Sequence, residues 1–179
     1  MAIDFQELRL QLTQATQAAF TEILAEHRAE GIYSFALYSD EGALTVCPAA
    51  NSRAHLAAQP SADLPYAKFE PAEWRYEGVG ATAQFDATCR RLRAQVLDET
   101  LDGEAFDQFR QQLYATCIAV LADLQQQDFF DQAAGQAVFL LFHVSDGDTS
   151  PEELAQLVRR LNPNAYGDEY LVWLRTWEA

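Results

Sequence analysis

The chain has 179 residues, 49% hydrophobic and 12% aromatic, enough for a substantial core in a single domain spanning 1–179. Twelve Lys and Arg against 27 Asp and Glu leave a formal charge of −15, with an isoelectric point near 4.4. Such a field repels nucleic acid and anionic membrane and attracts basic proteins.

The first ten residues, "MAIDFQELRL", lack the basic and apolar regions of a signal peptide and start an amphipathic helix instead. Over 3–30, Phe5, Leu8, Leu12, Ala15, Ala19, Ile23 and His27 recur at steps of three and four, the helical period. Gly31 is a natural stop. "IYSFALYS" (32–39) and "ALTVC" (43–47) are rich in β-branched and aromatic residues and flank "DEGA", which predicts a β-hairpin. Pro48 is expected to end its second strand, because proline removes a ladder donor. A short helix is predicted over 51–59, capped by Asn51 or Ser52.

Residues 60–80 hold three prolines and two glycines and predict a loop with one helical turn, Pro71 suiting its first position. Trp74 and Tyr76 there either pin the loop to the core or stand out as partner anchors. Helices follow at 81–98 and 103–127, the second striped by Phe106, Phe109, Leu113, Cys117, Val120, Leu121 and Leu124. "AVFLLFHV" (137–144), far short of the roughly 20 apolar residues of a membrane span, predicts a central strand covered on both faces. Ser150-Pro151-Glu152-Glu153 matches a capping box and opens a helix to about Leu161, which Asn162-Pro163 stops. Tyr170, Trp173, Leu174 and Trp177 fall at helical spacing, with a strand as the alternative. The fold class is α+β, a small sheet of three or more strands (one hairpin plus a buried strand) packed with several helices.

No Gly-rich phosphate loop, nucleophile elbow or calcium loop occurs. Cys47, Cys89 and Cys117 are odd in number and dispersed, against a disulfide framework and for a cytoplasmic setting. His27, His55 and His143 share no ligand spacing with them, so neither metal nor cofactor is expected. Cys47 with His55 or His143 is the one thinkable nucleophile–base pair. Asp146 and Asp148 serve either as turn residues before the capped helix or as an acidic rim at a strand end, where loops carry binding.

Four stretches, "YSFALYSDEGALTVCPAANS" (33–52), "EPAEWRYEG" (70–78), "LYATCIAVLADL" (113–124) and "VFLLFHVSDGD" (138–148), resemble a bacterial family of unknown function, number 4303 in the domain-of-unknown-function series. The resemblance runs in order across nearly the whole chain and implies gene neighbourhoods of polymorphic toxins, among small immunity proteins. It transfers no catalytic role.

Charge and resemblance agree on an acidic cytoplasmic protein-binding module, an immunity-type protein that sequesters a basic toxin or effector. The alternative is an enzyme of unrecognised class using carboxylates in strand-end loops. The expected contact residues are Asp40, Glu41, Trp74, Asp146 and Asp148. Should the first and third strands be parallel neighbours, the four carboxylates would converge at one edge of the sheet.

Overall fold

The computed structural model describes residues 3–98, 101–145, 147 and 149–178. Helix α1 (Phe5–His27) starts at Asp4, whose carboxylate accepts the amides of Gln6 and Glu7 at 2.8 and 3.2 Å. Its apolar period turns Leu8, Leu12, Ala15, Ala19 and Ile23 inward. Gly31 adopts a left-handed φ of 72° after a 3₁₀ turn, Arg28–Glu30, and redirects the chain into the sheet.

The sheet has four strands: β1 (Ile32–Asp40), β2 (Val46–Ser52), β3 (Tyr76–Glu77) and β4 (Phe139–Ser145), in the order β3-β2-β1-β4. β1 pairs antiparallel with β2 and parallel with β4, Ser34 level with Phe139 and Asp40 with Ser145. Between β2 and β3 lie α2 (Arg53–Ala57), α3 (Leu64–Phe69) and a 3₁₀ turn, Pro71–Glu73. Helices α4 (Thr82–Val96), α5 (Gly103–Gln126) and α6 (Phe129–Ala134) lead into β4, and α7 (Pro151–Leu161) and α8 (Ala165–Leu174) follow it.

Strand alternation gives each face its own core. Phe35, Leu37, Leu140 and Phe142 face α1, α4, α5 and α6, where Phe20, Leu113, Leu121 and Phe130 are buried. Ala36, Ala49, Phe139 and Leu141 face the other side, against Phe69, Trp74, Leu154, Val158, Tyr170 and Leu174. A parallel pair whose strands are covered on both faces is the usual setting for such continuous apolar runs.

β4 is an edge strand, not the central one that its composition predicts. Its exposed main chain is occupied by a side chain: Asn162, 4% exposed, accepts from Leu140 N at 2.7 Å and donates to Leu140 O at 2.8 Å and Val158 O at 3.2 Å. The amide thus stands in for a fifth strand and removes a template for aggregation. Gly167 lets α8 pass close to the Asn162 main chain, since a Cβ there would lie 2.3 Å from the Asn162 carbonyl oxygen.

The second hairpin strand begins three residues later than its composition predicts. The Asp40 carboxylate takes Leu44 N (3.1 Å) and Thr45 Oγ1 (2.5 Å), and Ala43 turns to φ 54°, so 41–45 form the turn. Nor does Pro48 end β2. It pairs with Leu37, and its carbonyl accepts from Gly78 N at 2.8 Å, which aims its main-chain polar side away from β1. The missing donor therefore falls where no ladder bond to β1 is due. Ser52, not Asn51, caps α2, through His55 N at 3.1 Å. Asn51 is buried and donates to Tyr33 Oη and Ala67 O at 3.1 and 3.0 Å. The short helices α3 and α6 and the strand β3 are additions to the predicted elements, whereas α7 carries the predicted capping box.

Asn162→Ala should leave Leu140 N and O unpaired in a buried place and cost about 2–3 kcal/mol. Urea unfolding measures it; a loss below about 1 kcal/mol would mean that water replaces the amide.

Candidate functional site

The parallel register of β1 and β4 brings their carboxyl ends level, so the segments after Asp40 and after Ser145 leave the sheet at one edge. The two predicted acidic stretches follow those strands. Asp146 and Asp148 themselves lie outside the described residues; Gly147 and Thr149 between and beyond them line a cleft.

That cleft, about 440 Å³, opens between α5 and α7 over the α5-facing side of β4. Tyr114 and Ile118 of α5, Phe142 and Val144 of β4 and Leu157 of α7 give it an apolar floor, with Glu41, Arg110, Gln111 and Glu153 around the mouth. Tyr114 Oη donates to Asp40 O at 2.8 Å and ties α5 to the strand end, and burial pushes its phenol up to about 12. Arg110 reaches Glu41 O at 3.4 Å, pairs with Asp107 at 2.9 Å and lies 5.3 Å over the Phe106 ring.

The mouth carboxylates differ in what they are free to do. Asp40 is half-buried and engaged within its own turn, so it is a builder of the loop. Glu153 accepts from Ser150 N at 3.0 Å and Ser150 Oγ at 2.7 Å, which holds its carboxyl below the usual range. Glu41 is exposed and projects at the cleft mouth. Arg110, Tyr114, Phe142 and Leu157 carry no motif in the sequence; their convergence depends on where α5 and α7 dock.

The other face of the same edge carries a polar row. Tyr38 is level with Cys47 on β2 and with His143 on β4. Tyr38 Oη donates to Glu77 at 2.9 Å, and His143 Nε2 lies 3.3 Å from Glu70. Cys47 and His143 are two strand spacings apart, about 9.5 Å, with Tyr38 between them. The neighbouring Cys89 and burial push the Cys47 thiol far above its ordinary range. No thiolate–imidazole pair forms, and His55 is turned instead toward Glu73 O at 3.3 Å. All three cysteines are free thiols. Among the described residues no group of three or more His, Cys, Asp or Glu is arranged to hold a metal ion.

A family model described as Domain of unknown function (DUF4303) matches residues 12–163. The chain belongs to this family. No curated protein and no solved structure matches it. The DUF4303 span holds the whole sheet and every residue of the strand-end cleft, whereas α8 lies beyond it.

Trp74, offered by the sequence as a partner anchor, takes the other role in this DUF4303 chain. It is 4% exposed, donates from Nε1 to Lys68 O at 3.2 Å and sets its ring edge-on to Phe139 at 6.4 Å. The ring pins the 60–80 segment onto the sheet. Trp74→Ala should therefore cost about 3–5 kcal/mol of stability, the range for deleting a buried aromatic ring. Thermal and urea unfolding read that loss directly, and a variant as stable as the parent would return Trp74 to the surface.

Proposed function

We propose that this protein is a cytoplasmic, immunity-type binding module of bacterial origin that sequesters a basic toxin or effector at the carboxyl edge of β1 and β4. The observation that carries the reading is the parallel pairing of those strands, which end level beside one apolar-floored cleft that Glu41, Gly147 and Thr149 help to line. Glu41 at the mouth, with Asp146 and Asp148 in the segment after β4, would supply the charge that steers a basic surface into place. The cleft floor would hold an apolar side chain of the partner once docked. A net charge of −15 supports fast capture of a cationic partner.

The competing reading, an enzyme working through strand-end carboxylates, draws less support. Asp40 and Glu153 both hold local amides, and those bonds hold the Glu153 carboxyl below its usual range, away from that of a general acid.

The product of the neighbouring reading frame is the natural probe. It should be basic and should bind with an association rate that falls steeply as salt is added. Replacing Glu41, Asp146 and Asp148 together by Lys should slow association about tenfold and flatten its salt dependence, with little change in folding stability. Stopped-flow mixing across ionic strength decides the matter: no complex, or an association rate indifferent to salt and to the reversals, would end the proposal.

A further inference from the structure

Beside the second core, on the other face of the sheet from the strand-end cleft, α3 and α8 leave an open groove of about 650 Å³ whose exposed surface is mainly apolar. Leu64 and Pro65 form one wall, Val172 and Trp173 the other, and Phe69 lies between them. Phe69 stacks on Trp173 at 5.5 Å, Tyr66 meets Trp173 edge-on at 6.4 Å, and Trp177 does so at 4.9 Å. Val172, Tyr66 and Trp177 are 62%, 51% and 48% exposed, three of the six exposed large apolar residues among those described. Val172 lies on the groove wall, and Tyr66 and Trp177 flank it through Trp173; such a concentration marks a contact surface, because isolated apolar residues scatter and patches do not arise without cause. Tyrosine and tryptophan are also the side chains that dominate binding energy at interfaces.

Charge selects the occupant. Lys68, the one cation among the described lining residues, is paired with Glu169 and lies 5.3 Å over the Phe69 ring. Asp168 on the α8 wall is exposed, as is Asp63, which directly precedes the wall residue Leu64, so negative charge flanks the groove. A second copy of the chain would bring another −15 and the same acidic rim. An anionic lipid surface is repelled in the same way. A cationic segment is attracted. α8 runs 10 residues, about 15 Å, which matches apolar anchors at positions i, i+3 or i+4 and i+7 of a partner helix.

We propose that the α3–α8 groove docks a cationic amphipathic helix of a protein partner, its apolar face on Val172 and Trp173 and its basic residues toward Asp168 and Asp63. The proposal rests on the reading of this protein as a binder of a basic protein and gives that binder a second contact, separate from the strand-end cleft.

The probe is a fluorescein-labelled amphipathic helix of leucine and lysine. Its controls are a scrambled peptide of the same composition and a leucine–glutamate helix. Fluorescence anisotropy should show saturable binding of the leucine–lysine helix, weaker binding of the scramble and none of the acidic helix. Val172→Lys, a change at an exposed position that circular dichroism should find folded, is expected to weaken binding at least about tenfold. Glu41→Lys should leave it unchanged. The proposal is overturned if the scramble binds equally well, or if Val172→Lys binds like the parent. It is equally overturned if sedimentation velocity finds a dimer that Val172→Lys dissolves, which would make a second copy the occupant. Binding lost in Glu41→Lys and kept in Val172→Lys would sink the groove and leave the strand-end reading standing. Groove binding by the peptide without any complex of the neighbouring gene product would do the reverse.

Discussion

The parallel pairing of β1 with β4 is the constraint from which the rest of the architecture follows. Two parallel strands cannot be joined by a tight turn, so the chain must cross from one end of the sheet to the other. Here β2, β3 and helices α2 to α6 all lie within that crossover. Because β1 also pairs with β2, it is the strand with neighbours on both sides over most of its length, and it is buried on both faces. Helices must then occupy both faces, and the two separate apolar cores are the result.

Such a sheet has to close its edges. On the β4 side a buried asparagine takes the place of a strand; on the β2 side the short β3 covers Ala49 and Ala50. Beyond β3, Cys89 Sγ donates to Val46 O at 3.4 Å, so α4 guards what β3 leaves bare. These devices leave the carboxyl end of β1 and β4 as the place where the exposed Glu41 meets an apolar cleft.

How much of this is legible in the sequence follows from the range of the interactions concerned. α1, α5 and α7 are legible because their signals are local: periodic apolar residues, a capping box, a glycine stop. β1 and β4 are legible by composition, but their order is not, since nothing in "AVFLLFHV" distinguishes a central strand from an edge strand sealed by Asn162. The start of β2 is hidden because Leu44 and Thr45 look like strand residues, while the Asp40 side chain captures both and competes with the ladder. Helix α6, with only six residues, is too short for periodicity to register. Trp74 is ambiguous for a different reason. Its burial depends on a cluster that includes Phe139, brought to it from a strand much later in the chain. The candidate site divides the same way: Glu41 can be picked out by its place after a strand, whereas Tyr114, Phe142 and Leu157 converge only through packing.

The central claim is that the two strand-end segments form one surface that captures a basic protein. Hydrogen–deuterium exchange of the chain alone and with the neighbouring gene product tests it most directly, because it maps contact without any substitution. The account predicts new protection in residues 41–45 and 146–150 together, with the amino end of α5 alongside. Protection confined to α1 and α4, or present in one of the two segments and absent from the other, would contradict it.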